Sequence, residues 1–221
     1  MQENEMLLQQ QQASVLETNK VLRNTYALLS MTLFFSAIMA AVAMATNAPS
    51  LNIWITLGGY FLLLFLTHKF AESGLGLVFV FALTGFLGYT IGPFLNAVVG
   101  VAGYEPIVLA LGGTGFIFFT LSGYVLVTKK DLSFMTGFLM TGMIVAFVAA
   151  IANVFLQIQG LGLAVSCLFL LVSSGILMWQ TSSIIHGGER NYILATVTLF
   201  VSLYNIFISL LNLIMAFSGD D

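Results

Sequence analysis

Apolar residues in this chain run in long stretches that no charge interrupts. Seven such windows, at residues 26–46, 51–68, 75–98, 106–128, 132–156, 162–185 and 192–217, each come close to the roughly 20 residues an α-helix needs to cross a bilayer. Turn-forming or charged residues fall between them: Asn47-Ala48-Pro49-Ser50, residues 69–74, residues 103–106, Lys129-Lys130-Asp131, residues 157–160 and residues 186–191. Every connection is short, so consecutive spans are antiparallel neighbours and leave no room for a second, water-soluble domain. The pattern predicts an all-α membrane protein with seven transmembrane helices.

Composition sharpens this reading. Only 7% of the 221 residues are charged, against about 25% in a soluble globule, which excludes a soluble enzyme and a disordered chain. Six basic residues and a net charge of -3 give no footprint for nucleic acid. Loop by loop, Lys20 and Arg23 lie in the N-terminal tail, Lys69 in the second connection, Lys129 and Lys130 in the fourth and Arg190 in the sixth, while Glu105, Asp220 and Asp221 lie on the opposite side. That partition predicts a cytoplasmic N-terminus and a C-terminus on the far side. Residues 1–23 are polar and Gln-rich, unlike a cleavable leader, and are expected to form a flexible cytoplasmic tail preceding a seven-span unit at residues 24–221.

Candidate chemistry inside the spans is sparse. No ionisable side chain stands at mid-span, which removes the usual markers of proton relays and intramembrane catalysis. No lysine follows Lys130, so a retinal Schiff base in a late span is excluded. The single cysteine, Cys167, reads as a small buried apolar side chain. No cofactor or metal is expected, since His186 and Glu189 alone make an incomplete ligand set. Amides and hydroxyls remain: Gln180 in the sixth span, and Asn205, Ser209 and Asn212 on one face of the seventh. They read as interhelical hydrogen-bonding groups or as a polar path. Gly92-Pro93 predicts a kink or early end of the third helix, with Asn96 beside it as a possible cavity liner. The loop His186-Gly187-Gly188-Glu189-Arg190-Asn191 predicts a tight hairpin, with Asn191 capping the last helix.

The stretch Gly88-Tyr89-Thr90-Ile91-Gly92-Pro93-Phe94-Leu95, followed by Ala110, Thr114 and Phe118, resembles the signature of the Bax inhibitor-1, or transmembrane Bax-inhibitor-motif, family. Gly115 departs from the alanine more usual in that pattern. Residues 20–26, 84–89, 184–189 and 201–207 look like the bacterial branch of the family. The resemblance implies six helices wrapped around a central C-terminal seventh, in the bacterial inner membrane. It implies a non-enzymatic modulator, both substrate and competitive inhibitor, of FtsH, the membrane-anchored ATP-dependent protease with its associated membrane proteins. Partner-facing candidates are then Gln9, Lys20, Arg23, His186, Glu189 and Arg190. The alternative the family offers is a calcium leak, for which Gln180, Asn205, Ser209 and Asn96 would border the path. Other members rely there on aspartates, and this chain has none at Gln180 or at Asn205-Ile206.

Overall fold

The computed structural model describes residues 2–218, with side chains described for residues 16–158 and 160–218. The backbone forms seven α-helices: α1 (Gln2–Ala45), α2 (Ile53–Lys69), α3 (Gly74–Ala102), α4 (Glu105–Thr128), α5 (Thr136–Leu156), α6 (Gln159–Ile185) and α7 (Tyr192–Ser218), with a single 3-10 turn at Ser133–Met135 before α5. Six are long and apolar enough to cross a bilayer, and α2 is a shorter apolar helix of 17 residues. At 1.5 Å per residue α2 measures about 25 Å, a little under the hydrocarbon thickness of about 30 Å.

Local chemistry sets the helix ends. Asn52 caps α2, its side chain accepting from the Trp54 N–H at 2.9 Å, and His68 and Lys69 lie in the last turn, where cations meet the negative end of the helix dipole. Lys129 and Gln157 end α4 and α5 in the left-handed conformation, at φ 50° and 52°, which lets their N–H groups bond back to the Val125 and Asn153 carbonyls. Two expectations are corrected. Helix α3 does not end at Gly92-Pro93 but continues to Ala102; one missing N–H is outweighed by the contacts that hold the helix on α1. Helix α1 runs without a break from Gln2 to Ala45; residues 2–25 contain neither glycine nor proline and are rich in helix formers. Cys167 is exposed on the outside of α6, since Ser173, Leu177, Gln180 and Ile184 occupy the inward face.

Helix α7 packs against α1, α3, α4 and α6, whereas α2 packs chiefly on α3, and α5 on α6. Within its most apolar stretch 56% of α7 is buried, against 11% of α5. One core cluster joins Leu28, Leu83, Leu177, Val197 and Phe200; a second joins Ala40, Ile91, Leu95, Ala110 and Leu211. Helix α7 supplies residues to both, so its inward position ties the two halves of the bundle together. Most of α5 faces outward with Phe138, Met140, Ile144 and Val148 exposed, as suits a surface against lipid tails.

Candidate functional site

The basic residues gather at one end of the bundle. There Gly187 takes φ +72°, a conformation open to glycine at no steric cost, and reverses the chain after α6. The Glu189 carboxylate accepts from the Asn191 N–H at 2.8 Å. Asn191 Oδ1 accepts from the Ile193 and Leu194 N–H groups at 2.9 and 3.3 Å, capping α7. Asn191 Nδ2 donates to the Ala71 carbonyl at 3.0 Å, so one side chain fastens the α6–α7 hairpin to the α2–α3 turn. The expected hairpin and cap are both present.

Three crevices open around this hairpin, and Arg190 borders all of them. The first, about 450 Å³, lies against α1 and includes Glu17, Lys20 and Asn24. The second, about 560 Å³, includes His68, Lys69, Glu72 and Glu189. The third, about 500 Å³, opens over the start of α3 at Ser73 and Gly74. Lys20, Glu189 and Arg190, named from the sequence as partner-facing, therefore share one surface. Arg23 is exposed one turn further along α1, and the Gln9 side chain, like Asp220 and Asp221, lies outside the described residues.

His186 is exposed, with Nδ1 2.8 Å from the Ser182 carbonyl. Nδ1 donates in that contact, since a carbonyl oxygen only accepts. No cluster of three or more His, Cys, Asp or Glu side chains able to hold a metal occurs among the described residues. Asp131 Oδ1 accepts from the Ser133 N–H at 2.9 Å. That bond, with a smaller contribution from nearby His186, holds the Asp131 carboxyl below the usual carboxylate range. Lys130 is pushed above its ordinary value by its contact with Tyr124, over whose ring its ammonium sits at 5.7 Å.

The polar residues expected along a path do not meet in one place. Asn96 Nδ2 donates to the Met44 carbonyl at 3.0 Å and approaches Asn47 Oδ1 at 3.5 Å, tying α3 to the end of α1 rather than lining a cavity. Ser209 is buried, and Asn205 and Asn212 are half-buried. Gln180 is 2% exposed, with its Nε2 unpartnered among the described residues. None of these residues borders the three crevices.

Beside Gln180 lies a polar cluster that sequence reasoning missed. Tyr26 Oη donates to Ser122 Oγ at 3.1 Å, Thr181 Oγ1 is 3.5 Å from Tyr26 Oη and 3.3 Å from Ser122 Oγ, and Thr196 Oγ1 donates to the Thr25 carbonyl at 3.3 Å. Four helices, α1, α4, α6 and α7, meet through these groups. Each hydroxyl looks unremarkable within an apolar run, and only the packing reveals that they converge.

The signature glycines are packing devices. A Cβ on Gly88 would fall on the Ser36 carbonyl, and one on Gly92 would fall on the Ala43 methyl. Gly85 and Gly59 lie equally close to Phe35 and Phe86, where a Cβ would stand 2.6 Å from each ring. Helices α1 and α3 thus approach across glycine, as membrane helices do when no hydrophobic drive assembles them. Gly58, Gly112, Gly115 and Gly137, by contrast, face open space. Pro93, between Gly92 and Phe94, is half-buried within α3.

Known proteins share this arrangement of sequence. The chain is 52% identical over 208 residues, 94% of each chain, to the Escherichia coli K12 protein named Modulator of FtsH protease YccA. It matches equally, over the same 94%, a protein of Escherichia coli O6:H1 named Inner membrane protein YccA. A protein of Pseudomonas aeruginosa without an assigned function is 49% identical over 222 residues, spanning the whole of both chains. The family model described as Inhibitor of apoptosis-promoting Bax1 matches residues 18–219. With that model covering the bundle and its glycine-proline signature seated at the α1–α3 contact, the chain belongs to the Bax inhibitor-1 (Bax1-I) family of multi-pass membrane proteins.

Proposed function

We propose that this protein is an inner-membrane modulator of an FtsH-type ATP-dependent protease, acting as a slowly extracted substrate and competitor rather than as an enzyme. The observation that carries the reading is the 52% identity, over 94% of both chains, to the Escherichia coli protein named for that role. In this reading the basic end faces the cytoplasm, where the protease's ATP-driven machinery works, and the C-terminus lies in the periplasm. Residues 1–23 act as a handle separate from the bundle at residues 24–221. Most helical stability in proteins comes from tertiary packing, and this polar, Gln-rich segment offers the protease a place to begin unwinding. The bundle resists: pulling α1 requires breaking its contacts with α3, α6 and α7, and α7 is in turn held by α3, α4 and α6. Lys20, Arg23, His186, Glu189 and Arg190 form the cytoplasmic contact surface, with Gln9 in the handle.

Affinity purification from native membranes in mild detergent tests this directly. Specific recovery of FtsH and its associated membrane proteins is the expected result; clean absence with the bundle intact would remove the proposal. The second reading, a cation leak bordered by Gln180, Asn205, Ser209 and Asn96, draws only on the buried Gln180 amide. It ranks lower because Asn96 is engaged in a helix contact and no carboxylate lies inside the spans. Its test is flux through liposomes, abolished by Asn205→Leu.

A further inference from the structure

Serine and threonine in apolar helices ordinarily return their hydroxyl proton to a backbone carbonyl three or four residues earlier. Thr32, Thr67, Ser166, Thr181 and Ser202 do so here. Thr25 and Ser173 do not: both are 0% exposed, and their hydroxyls have no partner among the described residues. Gln180 is in the same position, with an unpartnered amide nitrogen at 2% exposure. Ser173 and Gln180 stand seven residues apart on the inward face of α6, flanking the fully buried Leu177.

Two of these orphans are chain neighbours of residues in one contact. Thr25 precedes Tyr26 and Gln180 precedes Thr181, and Tyr26 meets Thr181 and Ser122 in the trio of hydroxyls. The Thr25 carbonyl receives the Thr196 hydroxyl of α7. Next along α6, Ser182 donates to the Lys130 carbonyl at 2.8 Å and accepts from the Leu132 N–H at 3.0 Å. The layer thus lies one residue from a loop whose Lys130 and Asp131 are exposed. Asn153 Oδ1 is another unpartnered atom, at the far end of α5 and outside the layer.

We propose that the layer formed by Thr25, Tyr26, Ser122, Gln180 and Thr181 is a buried hydration site, reached from the Lys130–Leu132 end, where bound water completes the hydrogen bonding of Gln180 and Thr25. The donor set fits water rather than an ion. It contains no charged group, and it combines an amide N–H with hydroxyls that both give and accept, so a cation would meet a donor and an anion would find no positive charge. Water donates two bonds and accepts two, and buried waters typically make about three hydrogen bonds to groups left unsatisfied by the protein. A polar group that is buried and unpartnered bears its full desolvation cost. A bound water removes that cost.

X-ray radiolytic labelling of the full-length protein, in nanodiscs of Escherichia coli polar lipid and ¹⁸O water, tests the site. Bound water transfers its oxygen to adjacent side chains. The expected result is ¹⁸O uptake at Tyr26 and at fully buried Leu177, none at outward-facing Phe138, and loss of the Leu177 signal in Gln180→Leu. Absence of uptake at Leu177 in the unaltered protein, or equal uptake in the variant, overturns the proposal. Thermal unfolding gives a second readout. If Gln180 is hydrated, Gln180→Leu leaves the midpoint unchanged or lowers it; a raised midpoint means that the amide was a tolerated orphan and ends the idea. Should Gln180→Leu not fold, Thr25→Val, which keeps the branched shape, carries both measurements with the same expected and contrary results.

Discussion

Glycine does two different jobs along these helices, and the environment of each decides what replacing it costs. At Gly88 a methyl group would meet the Ser36 backbone of α1, and backbone cannot swing aside as a side chain can. Gly88→Ala is expected to destabilise the bundle by about 1–3 kcal/mol, the usual range for overpacking, read as a lower unfolding midpoint in detergent. Gly115→Ala, into open space, is expected to be neutral or to stabilise by up to about 1 kcal/mol, because alanine is the better helix former. Equal effects at the two positions would contradict the packing assignment. The sequence made the glycine pairs visible but not their partners. Gly58 and Gly59 are neighbours in the chain, yet only Gly59 faces Phe86.

Asp131 supplies the residue-scale pH dependence. Its folded carboxyl titrates below the ordinary value because the Ser133 N–H bond favours the charged form. A depressed acid stabilises the folded state fully above its unfolded pKa, and the contribution is lost as pH falls through the lower, folded value. Near neutral pH that contribution is constant, so Asp131 is expected to add no pH dependence to the unfolding midpoint there. In the acid range below the ordinary aspartate pKa, the unaltered protein should lose an increment that Asp131→Asn does not lose. A gap between the two proteins that changes with pH near neutrality but stays constant through the acid range would contradict this.

At the scale of elements, the ends of helices were easier to read than their faces. The α7 cap at Asn191 follows from an asparagine just before an apolar run, but its second bond, to the Ala71 carbonyl, joins segments 120 residues apart and left no mark in the sequence. Asn191→Ala is expected to cost about 1–2 kcal/mol for the cap alone, and to release the α2–α3 turn as well. Hydrogen exchange at residues 70–74 reads that release; unchanged protection there would refute the tie. Gly92-Pro93 does not end its helix. Proline removes one helical hydrogen bond, yet Gly92 against Ala43 and Asn96 on the Met44 carbonyl hold α3 helical on both sides of it. The polar layer at Tyr26, Ser122 and Thr181 was hidden for a related reason. In a helix apolar on every side, periodicity does not say which face turns inward, and packing against α1, α4 and α7 decided it.

At the scale of the whole molecule, the absence of mid-span charge was enough to reveal seven helices, because a bilayer admits few other ways to hide so much apolar surface. The gathering of Lys20, Lys69 and Arg190 around one hairpin matches the loop-by-loop charge partition. The division of labour proposed here sets a bundle that resists extraction beside a handle that does not. Removing residues 1–19 is then expected to leave the unfolding midpoint of the bundle intact while abolishing turnover by the protease. Unchanged turnover would place the handle elsewhere. The most direct measurement of the central claim is competition: FtsH in proteoliposomes degrading a labelled membrane substrate, with this protein added at increasing ratio. The account predicts that degradation slows in proportion to the added protein and recovers when the protein lacking residues 1–19 is used instead. Degradation that proceeds at the same rate with or without the full-length protein would contradict it.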